Sequence, residues 1–310
     1  MKALLIAILL ILLIITAVMI VVYRECFYSP HPGQGDDYKV PSSVQYQVHK
    51  DKIKEMVDRM VSFPSETVTT TSSDGLRLSA RLYEGRPEMP VVIGFHGYRS
   101  SPIKDYSGEG PHIISQGYNF ILPDQRAHGK SEGHCISFGV LERCDALAWI
   151  DFARARFGKD KPIILSGVSM GAATVLMAAD LDLPENVKGI MADCGYSSPE
   201  EIIKKICADR KLPTKLVYPL LKLSAKIFGH FDLEESSAVE SVKKTKLPIL
   251  LVHGEADRFV PFYMSNEIYA ANPSMIEKHD FPDAGHAISY LLDEERYKKI
   301  SENFIASCIQ

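Results

Sequence analysis

Length, composition and charge set broad limits on this chain. Its 310 residues, of which 46% are hydrophobic and 24% charged, suffice for one catalytic domain with a large buried core. The net charge of −4, with no stretch that interleaves basic and aromatic residues, excludes a general attraction to phosphate backbones, so nucleic acid is not an expected partner. The six cysteines are scattered, with no Cys-x-x-Cys pair and no zinc-like Cys/His spacing, so no metal site is predicted and disulfides remain open.

Residues 1–26 predict a membrane anchor. Residues 3–22 form a continuous apolar run of the length that the hydrocarbon core of a bilayer requires. No small-x-small cleavage site follows, which favours an uncleaved transmembrane signal anchor, embedded through residues 3–23, over a cleaved signal peptide. Lys2 favours a cytoplasmic N-terminus, so we expect a single-pass membrane protein with an extracytoplasmic domain, although Arg24 and other basic residues beyond the span reduce that bias.

A change of composition follows the anchor. Residues 27–45 are rich in proline and glycine, which predicts a linker that holds the domain away from the bilayer, and the domain itself is expected over residues 46–310. Its first element is a predicted helix in residues 49–63, where apolar side chains recur at helical spacing. That spacing predicts packing against the core.

The rest of the chain alternates between strand and helix patterns. Asp74-Gly75 between two β-rich runs predicts a hairpin, and short apolar runs then alternate with helical stretches. The predicted strands are 67–72, 76–83, 90–95, 119–123, 162–167, 189–193, 248–253 and 278–281, and the predicted helices are 140–155, 170–179, 264–271 and 293–306. This alternation indicates an α/β fold, a mostly parallel sheet with helices on both faces. Residues 195–246 are too long for a simple crossover and are predicted to be a helical cap insertion over the site.

A candidate nucleophile lies between one of these strands and a small-residue helix. The run Gly167-Val168-Ser169-Met170-Gly171 follows an apolar strand, which is the context of a nucleophile elbow. Small residues at Gly167 and Gly171 would allow the sharp turn that projects the Ser169 hydroxyl above the sheet. The alternative is an ordinary Gly/Ser turn that caps a helix.

A serine hydroxyl needs a base and an orienting carboxylate, and candidates for both follow later strands. Asp257 ends the loop after strand 248–253, and His286 lies in a loop after the last strand. The chain order Ser169, Asp257, His286 is that of a triad on an α/β-hydrolase fold. Alternatives are Glu255 as the acid, Asp257 as a turn cap and His286 as a surface loop residue.

Two further loops carry polar groups near the predicted site. Backbone N–H groups of Met170 and Tyr98 are the expected oxyanion donors, because the fold supplies them after the nucleophile and after an early strand. His96 is expected to hold that loop in place, since His286 already fills the base position. Arg126 and His128 are expected to lock loops together, with substrate contact as the alternative.

These motifs together resemble the α/β-hydrolase superfamily, in its monoglyceride-lipase-like and serine-aminopeptidase-like branch, from about residue 64 to the C-terminus. The motifs that carry the resemblance are His96-Gly97-Tyr98, Asp124-x-Arg126-x-His128-Gly129-x-Ser131 and Gly167-x-Ser169-x-Gly171. The layout is also similar to membrane-anchored bacterial hydrolases of the YqkD type. The resemblance implies an eight-stranded sheet with a small helical cap, and Ala127 departs from it where the family commonly has glycine.

The expected activity is that of a serine hydrolase that cleaves carboxylic or thio esters of a small-molecule substrate through a Ser-His-Asp triad and an acyl-enzyme. A serine peptidase or aminopeptidase, an acyltransferase with the same triad, and an inactive membrane-tethered binding protein are the alternatives. The mechanism needs no cofactor, and the sequence leaves the oligomeric state open. Five apolar residues of the insertion are expected either to pack in the core or to line an acyl-binding pocket: Leu216, Val217, Leu220, Leu221 and Phe228.

Overall fold

The computed structural model describes residues 1–30 and 38–309 and contains one sheet of eight strands. The strands are β1 (Glu66–Thr71), β2 (Arg77–Tyr83), β3 (Val91–Phe95), β4 (Asn119–Asp124), β5 (Ile163–Val168), β6 (Val187–Asp193), β7 (Ile249–Gly254) and β8 (Ile276–Phe281). Their order is β1-β2-β4-β3-β5-β6-β7-β8. β2 runs antiparallel to both β1 and β4, and all other neighbours are parallel. The predicted fold class is therefore confirmed.

Helices cover both faces of this sheet. They are α1 (Lys2–Cys26), α2 (Val44–Gln47), α3 (Lys50–Ser62), α4 (Pro102–Asp105), α5 (Gly110–Ser115), α6 (Glu142–Phe157), α7 (Met170–Ala178), α8 (Pro199–Asp209), α9 (Thr214–Phe228), α10 (Ala238–Val242), α11 (Phe262–Ala271), α12 (Ser289–Leu292) and α13 (Glu294–Ile309). Successive residues of the central strands point to opposite sides: Ile163 and Leu165 enter one core cluster and Ile164 enters the other. Burial on both faces explains why these strands are continuously apolar.

The predicted linker over residues 27–45 needs correction at its beginning. Phe27 is fully buried, with its ring 5.8 Å from that of Phe138 and 5.5 Å from that of Phe231. Tyr28 forms an isolated antiparallel bridge with Cys135. The chain thus enters the core as soon as α1 ends, because two distant aromatic side chains provide a cavity for Phe27. The glycine and proline residues of 31–37 lie outside the described residues.

Helix α1 differs from the other helices in its exposure. It is long and apolar enough to cross a membrane, and residues 2–18 are all exposed. Met19 is 5% exposed, and α1 packs against α9. The Tyr23 ring lies 5.7 Å from the Phe228 ring, within this helix pair. The orientation of α1 relative to the domain is therefore fixed by packing.

Candidate active site

Ser169 occupies a sharp turn between β5 and α7. Its backbone has φ 57° and ψ −116°, a conformation that an L-residue adopts only under constraint. A Cβ atom on Gly171 would lie 1.9 Å from the carbonyl oxygen of Phe95, and one on Gly167 would lie 2.2 Å from the carbonyl oxygen of Gly171. The two glycines are therefore required by close backbone packing, as the elbow motif predicts.

The three side chains predicted for the triad lie in one hydrogen-bonded chain. The Ser169 hydroxyl donates to His286 Nε2 at 2.9 Å, and His286 Nδ1 donates to Asp257 Oδ2 at 2.7 Å. All three residues are buried, with exposed fractions of 8%, 5% and 8% for Ser169, Asp257 and His286. The geometry lets the imidazole accept the hydroxyl proton while the carboxylate fixes its tautomer.

Backbone groups hold the Asp257 carboxylate in place. Its Oδ1 accepts hydrogen bonds from the N–H groups of Phe259 and Val260 at 2.8 and 2.9 Å, which leaves Oδ2 for the imidazole. The buried His253 ring lies on the same side, with Nε2 3.5 Å from Oδ2. Glu255, the alternative acid, is exposed. Of these two carboxylates, Asp257 is the one that is hydrogen-bonded to His286.

The loop after β3 approaches the serine closely. A Cβ atom on Gly97 would lie 3.3 Å from Ser169 Cβ and 3.6 Å from its Oγ. The Gly97 N–H donates to Asp105 Oδ2 at 2.6 Å, and the Ser100 hydroxyl donates to the other carboxylate oxygen. Burial raises the pKa of Asp105, against the opposing effect of these hydrogen bonds. Asp105, which no sequence motif indicated, positions the loop that carries Tyr98.

The second predicted oxyanion donor lies at the start of a helix. Met170 is the first residue of α7, directly after Ser169. The first N–H groups of an α-helix have no acceptor within the helix and carry the positive end of its dipole. The Met170 N–H is thus of the kind that stabilises an anion. Tyr98 is the residue after Gly97 and lines the same pocket as Ser169.

The remaining polar residues of these loops have partners within the protein. His96 donates through Nδ1 to the Gly97 carbonyl and accepts at Nε2 from the Gln125 N–H, so both ring nitrogens are used. His128 likewise accepts from the Arg99 N–H and donates to the Arg126 carbonyl. Burial, with a smaller contribution from His128, lowers the pKa of His96 well below its usual value. These two histidines support the loops, as predicted for His96.

Arg126 joins three parts of the chain. Its guanidinium binds Asp145 of α6 through two hydrogen bonds of 2.7 and 2.6 Å, and Asp74 of the β1–β2 turn at 2.9 and 3.1 Å. The side chain is buried, and bidentate pairing satisfies its charge. Arg126 therefore locks loops together, and the alternative of substrate contact is not what its contacts favour.

A pocket of about 990 Å³ opens beside the serine. It is lined by Ser169, His286 and Tyr98, by Val44, Tyr46, Ile53 and Met56 of α2 and α3, by Lys205 and Asp209 of α8, and by Phe259, Leu291 and Leu292. The Tyr46 hydroxyl donates to the His286 carbonyl at 3.0 Å, so α2 is bonded to the loop that carries the imidazole. A pocket with an apolar wall on one side suits a ligand with an apolar group.

The walls of this pocket correct the expected role of the insertion. Among the described residues, 195–246 contributes to the lining only through Lys205 and Asp209 of α8, whereas α10 packs against α7 and α11. None of the five apolar residues proposed above for an acyl pocket lines it in the part of the chain that the structure describes. Residues of α2 and of the first turns of α3 line the pocket as well, and α9 packs against α1.

Two buried carboxyl groups lie behind the serine. Asp193 Oδ2 accepts from the Tyr297 hydroxyl at 3.2 Å, and its backbone carbonyl accepts from the Ser169 N–H at 2.8 Å. Asp193 Oδ1 and Glu109 Oε1 have no hydrogen-bond partner in the described part of the protein. Burial raises the pKa of Asp193 to about 7 and that of Glu109 to about 7. Burial thus favours the protonated form of both groups.

One cysteine lies next to the imidazole. Cys194 Sγ, a carboxylate oxygen of Asp257 and a ring nitrogen of His286 are all within 4.8 Å of one another, a grouping that could hold a metal ion by proximity. However, the imidazole and the carboxylate are already hydrogen-bonded to each other, and burial raises the pKa of the Cys194 thiol well above its usual value. The Asp257–His286 hydrogen bond therefore accounts for the proximity of these two side chains.

An eight-stranded sheet with a serine elbow after its fifth strand and a histidine after its last defines a protein of the α/β-hydrolase fold. The family model described as the alpha/beta hydrolase fold matches residues 90–206. Together with the relatives and solved structures below, this match supports the assignment of the chain to the α/β-hydrolase superfamily.

Particular relatives are similar over part of their length. The chain is 25% identical to YqkD of Bacillus subtilis (strain 168) over 194 residues, 62% of this chain and 64% of that protein. It is 27% identical to the lysophosphatidylserine lipase ABHD12 of Danio rerio over 202 residues, 61% of this chain and 50% of the lipase. The esterase Pf2001 of Pyrococcus furiosus superposes with a TM-score of 0.64 and 24% identity, covering 83% of this chain and 96% of the esterase.

Proposed function

We propose that this chain is a membrane-anchored serine hydrolase that cleaves carboxylic or thio esters. The observation that carries the proposal is the hydrogen-bonded chain Ser169–His286–Asp257 at the wall of a large pocket. Ser169 is the nucleophile, His286 the general base and Asp257 the group that orients it. The backbone N–H groups of Tyr98 and Met170 are the oxyanion donors.

The reaction proceeds through two proton relays. His286 Nε2 takes the Ser169 hydroxyl proton as Oγ attacks the ester carbonyl carbon, and the resulting oxyanion is stabilised by the two N–H groups. When the carbon–oxygen bond breaks, the leaving alkoxide takes that proton and acyl-Ser169 remains. A water molecule then attacks the acyl carbon as His286 accepts its proton, and collapse returns the proton to Ser169 and releases the acid.

Two observations lead us to propose esters rather than amides as substrates: the names of similar proteins and the apolar lining of the pocket. The relative ABHD12 is named as a lysophosphatidylserine lipase and the similar Pf2001 as an esterase. Apolar side chains of α2, α3 and α12 line the pocket near the serine, which favours an acyl chain of several carbons. The substrate class is therefore a small-molecule ester with an apolar acyl group.

We also propose that α1 anchors the protein in a membrane. Residues 3–23 lie in α1, which has the length and composition of a spanning helix. We place the anchor in residues 1–26, a hydrolase domain in 46–310 and the domain on the extracytoplasmic side. Protease accessibility in intact and permeabilised cells tests the side of the membrane.

Covalent labelling tests the nucleophile. A fluorophosphonate probe is expected to label the full-length protein and not Ser169→Ala, and hydrolysis of p-nitrophenyl butyrate is expected to be lost with the labelling. Ser265→Ala is the matched control, because the Ser265 hydroxyl is buried in α11 and has no hydrogen-bond partner in the described structure. A folded parent protein that neither labels nor turns over the ester contradicts the proposal.

Substrate preference needs a second measurement. Rates for matched p-nitrophenyl esters of increasing chain length and for aminoacyl p-nitroanilides separate the esterase from the aminopeptidase alternative. Faster cleavage of the amides would overturn the ester assignment while leaving the roles of Ser169 and His286 intact.

A further inference from the structure

The outward face of α9, a helix that packs against α1, is apolar. Leu216, Leu223 and Ile227 are exposed by 70%, 45% and 49%, and Leu220 lies between them on the same face. Their spacing of four, three and four residues forms one continuous stripe along the helix. We call these four residues the α9 stripe. An exposed stripe of this size is unusual on a surface that faces water.

The opposite face of α9 is buried and holds the helix against the domain. Tyr218, Leu221 and Ala225 are buried, so this face packs against the domain. Phe228 contacts Tyr23 of α1, with 5.7 Å between the ring centroids. The stripe is therefore not a core face that has lost its partner, since α9 already has a separate buried face.

The depth of α9 follows from its contact with Tyr23. Tyr23 directly follows the apolar run 3–22, and its ring lies 5.7 Å from that of Phe228 in α9. If α1 spans a bilayer, then α9 reaches the level at which the hydrocarbon begins. Both helices of this packed pair carry exposed apolar side chains.

Lysine side chains border the stripe on one flank. Lys215, Lys222 and Lys226 recur at helical spacing next to it, and Lys222 and Lys226 also contact Asp232. Ammonium groups beside an apolar stripe are typical of a helix that lies in the plane of the membrane boundary, where they meet lipid phosphates.

We propose that α9 lies in the boundary layer of the bilayer that α1 crosses, with the α9 stripe turned toward the acyl chains. The inference rests on the proposed anchoring by α1. It places the pocket beside the membrane surface, because pocket-lining Tyr98 donates from its hydroxyl to the Cys26 carbonyl at the end of α1 at 2.8 Å. The ester substrate then reaches Ser169 from the lipid boundary.

Tryptophan fluorescence in vesicles tests this orientation. The chain has a single tryptophan, Trp149, which is 1% exposed and gives a constant background. Full-length Leu223→Trp is reconstituted in phosphatidylcholine vesicles with and without lipids brominated on their acyl chains. The matched control is Val61→Trp, at a 51% exposed apolar position on α3 that is outside the pocket lining.

We expect the emission added by Leu223→Trp to be blue-shifted and quenched several-fold more strongly than that added by Val61→Trp, with Leu216→Trp giving the same result. Equal quenching of the Leu223 and Val61 variants overturns the inference. So does a blue shift without quenching, which would mean that a second copy or another protein surface covers the stripe.

Two accompanying measurements separate this inference from the proposals on which it rests. Flotation of the protein with vesicles reports anchoring, and its failure removes the anchor and the inference together. Hydrolysis of soluble p-nitrophenyl butyrate reports the catalytic proposal and is expected to be unchanged in all three tryptophan variants. Active, anchored protein without quenching contradicts the membrane contact of α9 alone.

Discussion

The buried carboxyl groups of Asp193 and Glu109 predict an unusual dependence of stability on pH. A pKa raised on folding means that the folded protein favours the protonated acid, so the stabilisation is complete below the ordinary pKa and is lost as pH rises toward the folded value. For Asp193, burial raises the pKa from 3.8 to about 7, so the free energy of unfolding falls by about 4 kcal/mol across that window. Glu109 adds a second decrease in the free energy of unfolding between pH 4.5 and about pH 7.

Replacing Asp193 by asparagine removes one of the two titrations. The introduced carboxamide cannot ionise, and its carbonyl can still accept from the Tyr297 hydroxyl. We therefore expect Asp193→Asn to be less sensitive to pH than the parent and more stable than the parent at pH 8. The remaining slope is shared by Glu109 and by other buried acids such as Asp105, whose pKa burial also raises.

Urea unfolding in detergent micelles, followed by the fluorescence of the buried Trp149, measures this difference. Midpoints are compared from pH 4.5 to pH 8.5 for the parent, Asp193→Asn and the control Asp160→Asn, which removes an exposed carboxylate in a loop. Parallel curves for the parent and Asp193→Asn would refute the reasoning. A control that changes as much as the variant would assign the effect to net charge instead.

Four further substitutions, one of them a control, test the site and the packing. Asp257→Asn should lower kcat by about 10⁴-fold with the fold retained, because it no longer holds His286 in the required tautomer; a loss below tenfold in ester hydrolysis would argue against that role. In urea unfolding, Gly171→Ala should lower the free energy of unfolding by about 3 kcal/mol, because the added Cβ clashes with a β3 carbonyl. Gly75→Ala is the control: the space around it is open, so only its positive φ of 89° opposes the substitution, at about 1 kcal/mol. Phe27→Ala should cost about 3–5 kcal/mol by the same measurement, and a change under about 0.5 kcal/mol would restore the linker interpretation.

The sheet could be predicted from the sequence because its strands carry a strong local signal. β3, for example, is a run of buried residues between Pro90 and the His96-Gly97 turn, and the other central strands are similar. The position of Phe27 could not be predicted in this way. Its burial depends on Phe138 and Phe231, more than 100 residues away in the sequence, and no local pattern reports such a contact.

Residues of the candidate site could be predicted where a sequence motif fixes the backbone geometry. Residues that are positioned only by tertiary contacts could not. Ser169 was found because the elbow requires glycines at fixed spacing. Asp105 was missed because its partner is a backbone N–H, a group that every residue except proline has. The helical pattern of residues 49–63 predicted core packing, which holds for Val57 and Met60, but did not show that Ile53 and Met56 line the pocket.

The backbone of Ser169 has a consequence for how this protein can change over generations. At φ 57° and ψ −116° every residue with a Cβ atom costs about 1–3 kcal/mol, and glycine alone avoids this penalty. We therefore expect Ser169→Gly to give a more stable protein that lacks the proposed nucleophile. Thermodynamic stability and the proposed catalysis therefore place opposite demands on this position.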